Sequence, residues 1–148
     1  MSHTTAINAI KLTNIAHLQT AVAALQKSGV KCSLIAGATP RAYFSNQQGM
    51  GQADYVLKLN DSPYDIGLYK QADGSYEART DFHAGHIQRI LGAPASDPSK
   101  RQQAQLGKLY QEYGIAGAMA AAREKGYDVA RKTAQDGTVT LVMTGAAM

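Results

Sequence analysis

The segment "YDIGLYKQADGSYEARTDFHAGH", residues 64–86, decides the architecture, because its three Asp, one Glu and two His read either as a site or as scaffold. "YDIGLYK" and "SYEART" are strand-like runs, and the turn from Gln71 to Gly74 carries Asp73-Gly74, a pair suited to a tight reversal. The segment therefore predicts a β-hairpin. The spacing then changes: "FHAGHIQRILG" predicts a short helix with Thr80 or Asp81 as its cap, since a short polar side chain accepts from the first free backbone N–H groups.

Working outward, "ADYVLKL" pairs with "YDIGLYK" across the "NDSP" turn, which extends the hairpin into a meander. Upstream, "TTAINAIKL" predicts a strand over Thr4–Leu12. In "TNIAHLQTAVAALQKSG" the residues Leu18, Ala21, Val22 and Leu25 form one helical face, with Thr13 or Asn14 to cap its start and Gly29 to end it. "VKCSLIAG" predicts a second strand, "TPRAYFS" a continuation or a further short strand, and "NQQGMGQ" a loop. Downstream, "APASDPSK" reads as a linker within the domain. The segment "RQQAQLGKLYQEYGIAGAMAAAREKG" predicts a helix with Gly114 as a candidate interruption and Gly126 as its stop; its small residues allow close packing on a sheet. "YDVARKTAQDGTVTLVMTG" predicts a closing hairpin about "QDGT". The expected fold class is α+β: a mostly antiparallel sheet with an N-terminal strand–helix unit, a central meander, one or two later helices and a C-terminal hairpin, helices on one face.

At 148 residues the chain is expected to form a single domain, residues 1–148, with a core large enough to need no staple. The hydrophobic fraction of 45% and the charged fraction of 18% argue against disorder. Cys32 has no partner for an internal disulfide, and "MSHTTAINAIKL" lacks the basic-then-apolar order of a secretory signal, so a cytoplasmic location is expected. No apolar run approaches the roughly 20 residues that span a bilayer. Charge is unevenly placed: residues 1–53 hold Lys11, Lys27, Lys31 and Arg41 with no acid, while eleven acids balance eleven bases thereafter. Four scattered cations are a thin footprint for nucleic acid.

Asp81, His83 and His86 spell D-x-H-x-x-H, residue types that suit zinc or iron, with the two histidines three apart on one helical face if Asp81 opens the helix. Three such groups fall short of a four-ligand structural site, and no companion Cys pair is present. Asp65 and Glu77 form a candidate acid–base pair, placed as cross-strand neighbours by pairing around the Gln71–Gly74 turn. Gly67 inside a strand suggests a bulge or the close approach of a backbone or ligand. "GMG" at residues 49–51 lacks the Lys-Ser/Thr of a phosphate loop. Tyr64, Tyr69 and Tyr76 suit either base stacking or the rim of a sheet.

In order and spacing, "MSH", "LQTAVAALQKSG", "ADYVLKL", "YDIGLYKQADGSYEARTD" and "YGIAGAMAAAREKGYDVARKTAQDGTVTLVM" resemble the hypothetical chloroplast reading frame thirty-five family, a domain of unknown function in algal plastids, cyanobacteria, other bacteria and some bacteriophages. The "SNQQGMGQ" and "GAPASDPSKRQQ" stretches depart from the family pattern. The resemblance implies no catalytic residue and no cofactor; it implies a partner role beside AAA-type ATPases. The expected function is a small non-enzymatic binding or adaptor protein acting through a protein partner or self-association. A nucleic-acid-binding accessory protein is the alternative, and a small metal-dependent or acid–base enzyme the third reading. The candidate binding surface comprises Lys11, Lys27, Lys31, Arg41, Tyr64, Gly67 and Tyr69.

Overall fold

A computed structural model describes residues 4–41, 51–81, 83–92, 106–135 and 139–145. The elements run β1 (Thr4–Leu12), α1 (Ile15–Lys27), β2 (Cys32–Ala38), β3 (Ala53–Leu59), β4 (Ile66–Lys70), β5 (Tyr76–Asp81), a 3-10 turn (His83–Gly85), α2 (His86–Leu91), α3 (Gly107–Glu124), β6 (Asp128–Thr133) and β7 (Val139–Thr144). Strands β1 to β5 form an antiparallel sheet in the order β1-β5-β4-β3-β2, and β6 and β7 form a separate two-stranded sheet. The fold is α+β, with the expected strand–helix start, central meander and terminal hairpin. The expected loop before Gly51, the continuation past Arg41, the "APASDPSK" linker and residues 136–138 of the last turn lie outside the described residues.

The sheet's core face is fixed by its register. Leu57 pairs with Ile66, Leu68 with Ala78 and Cys32 with Leu59, and these residues join Leu18, Val22 and Leu25 of α1, Ile87 and Leu91 of α2, and Leu109, Tyr110 and Tyr113 of α3 in one buried cluster. Burying a Leu or Ile in such a layer stabilises by about 1.5–3 kcal/mol. Asn14 caps α1 as expected, its Oδ1 accepting from Ala16 N at 2.9 Å and His17 N at 3.1 Å. The Tyr113 hydroxyl ties that helix start to α3 by accepting from Thr13 N at 2.8 Å and Asn14 N at 3.0 Å. Its neighbour Tyr110 has a buried hydroxyl with no hydrogen-bond partner among the described residues, and burial pushes it up to about 12.

Three expectations are corrected. Thr80 and Asp81 do not cap a helix: pairing with β1 (Thr4 with Asp81, Thr5 with Thr80) holds both extended, and Thr80 Oγ1 donates to the Asp65 carbonyl at 2.8 Å. The cap of α2 is Gly85, in the left-handed region at φ 71°. Helix α3 is not interrupted at Gly114, whose missing side chain faces open space, so glycine there costs only its roughly 1 kcal/mol of propensity. The small residue Gly117 of α3 serves α1 rather than the five-stranded sheet. Gly117 lies beneath the His17 ring, with Nδ1 3.5 Å from where a Cβ would stand, and His17 meets Tyr113 edge-on.

Candidate interaction surface

The sequence-predicted site residues are spread across the fold. Asp65 precedes β4, and register places Glu77 opposite Tyr69, so the proposed carboxylate pair is not formed across the strands. Asp65 instead holds Arg41. Its Oδ2 accepts from Arg41 N and Nε, both at 2.9 Å, and its Oδ1 accepts from Arg41 Nη2 at 2.8 Å and from Leu59 N at 3.3 Å. Arg41 Nη2 also donates to the carbonyls of Leu59 and Ser62, each at 2.9 Å. The bond to Asp65 keeps this guanidinium more firmly protonated than usual. Glu77 pairs with Arg79, whose Nε donates to Oε1 at 2.6 Å.

Asp81 is buried at the end of β5, and His86 opens α2 with its ring edge-on to buried Tyr64 and its Nδ1 2.7 Å from Arg89 Nη2. Ala84 and Gly85, both at positive φ, separate His83 from α2, so His83 and His86 are not neighbours on one helical turn. The His83 side chain lies outside the described residues. No group of three or more His, Cys, Asp or Glu that could hold a metal ion occurs among the described residues.

Of the predicted cationic surface, Lys11 is paired with Asp73 at 2.9 Å and Arg41 with Asp65, while Lys27 and Lys31 are exposed on either side of the α1–β2 turn. The later acids thus fold back onto the acid-free N-terminal third. Asp73 organises the β4–β5 turn, accepting from Ser75 N at 2.9 Å and Ser75 Oγ at 2.6 Å, and these two bonds, followed by Lys11, hold its carboxyl well below the usual carboxylate range. Because the folded-state value is depressed, the resulting stabilisation is present above the unfolded value and is lost as pH falls toward the folded one. A carbon-detected NMR titration of the Asp73 carboxyl is expected to place its midpoint well under the ordinary carboxylate range, and Ser75→Ala is expected to raise it more than Lys11→Ala; equal shifts would reverse the order of causes.

Gly67 and Tyr69 lie on the sheet face opposite the helices. Tyr69 folds across Gly67, donates its hydroxyl to the Gly51 carbonyl at 3.1 Å, and carries the Arg79 guanidinium 4.5 Å from its ring centroid. Burial pushes its phenol up, against the lowering charge of Arg79. With Tyr64 packed on His86 and Tyr55 edge-on to Tyr76, the predicted stacking residues are engaged within the fold.

Exposed apolar surface concentrates elsewhere. Helix α3 ends at Gly126, at φ 87°, and Tyr127 N donates back to the Ala122 carbonyl at 3.1 Å, a helix-closing pattern that sets Tyr127 beside the last turn. The chain then forms the β6–β7 hairpin, with Val129 opposite Met143 and Arg131 opposite Leu141. Arg131 tethers that face to α3 through a fork onto Glu112, Nη1 to Oε1 at 2.5 Å and Nη2 to Oε2 at 2.7 Å. Between hairpin and helix runs an open groove of about 560 Å³, with Ala118, Ala121 and Ala122 on one wall, Leu141 and Met143 on the other, and Lys125 and Tyr127 at the end of α3. Tyr127 is 41% exposed, Val142 38% and Met143 58%; Ile35, at 40%, is the remaining large exposed hydrophobic among the described residues. Among the described residues, Lys125 and the Tyr127 phenol are the titratable groups lining the groove, which thus offers apolar contact and no acid–base pair there. The sequence carried this signal in the uncharged run "VTLVMT", whose apolar residues fall on both strand faces.

An antiparallel five-stranded sheet backed by helices, with a hairpin extending past α3, defines a small α+β protein whose described surface presents an apolar groove. Residues 24–142 match the family model for a protein of unknown function, DUF1257, and the chain belongs to that family. No curated protein and no solved structure matches it.

Proposed function

We propose that the protein is a non-enzymatic binding or adaptor protein, a single cytoplasmic domain that works through protein–protein contact at the α3–hairpin groove. The observation that carries this reading is the gathering of exposed Tyr127 and Met143 with Leu141 about an apolar groove without convergent acid–base groups among the described residues. The chain's resemblance to the chloroplast reading frame thirty-five family, phage members included, carries the finer expectation that the partner is an AAA-type ATPase. The nucleic-acid reading draws less support, because Lys11 and Arg41 are paired with acids and Tyr64 and Tyr69 are engaged within the fold. The enzyme reading draws less again, since Asp65 and Glu77 serve separate ion pairs.

The test is capture from nuclease-treated host lysate with tagged wild-type protein and with Met143→Asp. Because Met143 is more than half exposed, the substitution is expected to leave the unfolding midpoint unchanged while lowering recovery of a stoichiometric protein partner at least about tenfold, the effect of losing one interface anchor. Recovery that depends on nucleic acid and ignores Met143 would overturn the reading.

A further inference from the structure

Beyond that docking reading, we infer that a second copy of this chain pairs antiparallel along the outer edge of β7 and so extends the apolar wall of the groove. The two-stranded sheet has β6 and β7 as its only members, so each strand leaves one edge without a strand partner among the described residues. The edges differ in chemistry. Strand β6, "DVARKT", carries Asp128, Arg131 and Lys132, the kind of charges that keep an edge from pairing. Strand β7, "VTLVMT", has no charge and no proline. A two-fold axis sets a strand against itself, so any charge near the axis meets a like charge; β7 is a sequence that avoids this cost.

Register follows from the same residues. Centring the axis on Val142 places Val142 against Val142 of the second copy, Leu141 against Met143, and Thr140 against Thr144. Opposed residues in an antiparallel pair share a face, so Leu141 and Met143 of both copies lie on the groove side and extend its apolar wall. The result is a four-stranded sheet, past the threshold at which a hairpin with one apolar face becomes independently stable.

The other neutral edge does not compete. Strand β2, "CSLIAGA", exposes Ile35, but Gly37 at φ 62° breaks its extended run and the Gly37 carbonyl already accepts from Gln52 Nε2 at 3.1 Å. A six-residue edge is a small interface of the weak, transient class, and association with a dissociation constant on the order of 10 μM is expected.

Sedimentation of the full chain over roughly 1 to 200 μM, a range that brackets that constant, is expected to show the 15.7 kDa species giving way to one of twice the mass. Val142→Lys should hold the chain at the lower mass with an unchanged circular dichroism spectrum, and Ile35→Lys should leave the dimer intact. Val142→Cys should form a disulfide-linked dimer on mild oxidation, readable because the native Cys32 is buried. A wild-type monomer throughout, or a dimer lost in Ile35→Lys and kept in Val142→Lys, overturns the inference. The two readings fail separately: a monomer whose partner capture still depends on Met143 sinks the second copy alone. A β7-dependent dimer whose partner capture ignores both Met143 and Val142 sinks heterologous docking alone and upholds the second copy.

Discussion

Asp65→Ala is expected to lower the free energy of unfolding by about 3–5 kcal/mol, the cost of taking a buried carboxylate away from the several donors it satisfies. The Asp65 side chain is 4% exposed and satisfies four donors: Arg41 N, Nε and Nη2, and Leu59 N. Removing it strands the Leu59 amide in the interior and frees Arg41 from its place beside the end of β3 and the turn that precedes β4. The asymmetry of the pair supplies the control. Arg41 is 44% exposed, so in Asp65→Ala water rehydrates the guanidinium left behind, whereas Arg41→Ala leaves a carboxylate only 4% exposed without its cation. Arg41→Ala is accordingly expected to cost about 3–5 kcal/mol, the penalty of an uncompensated buried charge. Urea unfolding monitored by tyrosine fluorescence checks both values. An Arg41→Ala loss well below that of Asp65→Ala would show that the backbone amides of residues 41 and 59, and not the guanidinium, compensate the carboxylate of this node.

That node also marks where sequence legibility stops. Leu18, Ala21, Val22 and Leu25 announced a helix and its buried face because one amphipathic period fixes both, and Asn14 and Gly29 bounded it by local chemistry alone. The Asp73-Gly74 reversal was legible for the same reason. Thr80 and Asp81 were misread as caps because a cap and a strand end look alike until the pairing partner is known, and that partner, β1, lies more than seventy residues away. Asp65 and Glu77 were paired on proximity to a common turn, whereas register, which puts Tyr69 opposite Glu77, decides contact. The hairpin strands were readable in "YDVARKT" and "VTLVMT", but not the surface they leave open. Alternation tells which residues share a face and is silent on whether another element covers it.

Gly67→Ala is the second large effect, an expected loss of about 2 kcal/mol from overpacking. Its backbone is not in the left-handed region, so an alanine there meets no torsional penalty, and the cost is steric. A Cβ would stand 2.6 Å from Tyr69 Cε1, 2.9 Å from the Tyr69 hydroxyl oxygen and 3.0 Å from Pro40 Cγ. The ring cannot simply swing aside. Its hydroxyl is bound to the Gly51 carbonyl at 3.1 Å and the Arg79 guanidinium lies 4.5 Å from its centroid, so displacement forfeits a hydrogen bond and a cation–π contact together. Sequence reading had glycine here admitting a backbone or a ligand; the group admitted is a side chain two residues along the same strand. Tyr69→Ala alone is expected to cost about 2–3 kcal/mol through lost ring burial. In Gly67→Ala/Tyr69→Ala the clash has no second party, so the double variant should be no less stable than Tyr69→Ala, a coupling of about 2 kcal/mol in a double-mutant cycle. Additive losses would mean instead that Pro40 and the β2–β3 connection, rather than the aromatic ring, enforce glycine at this position.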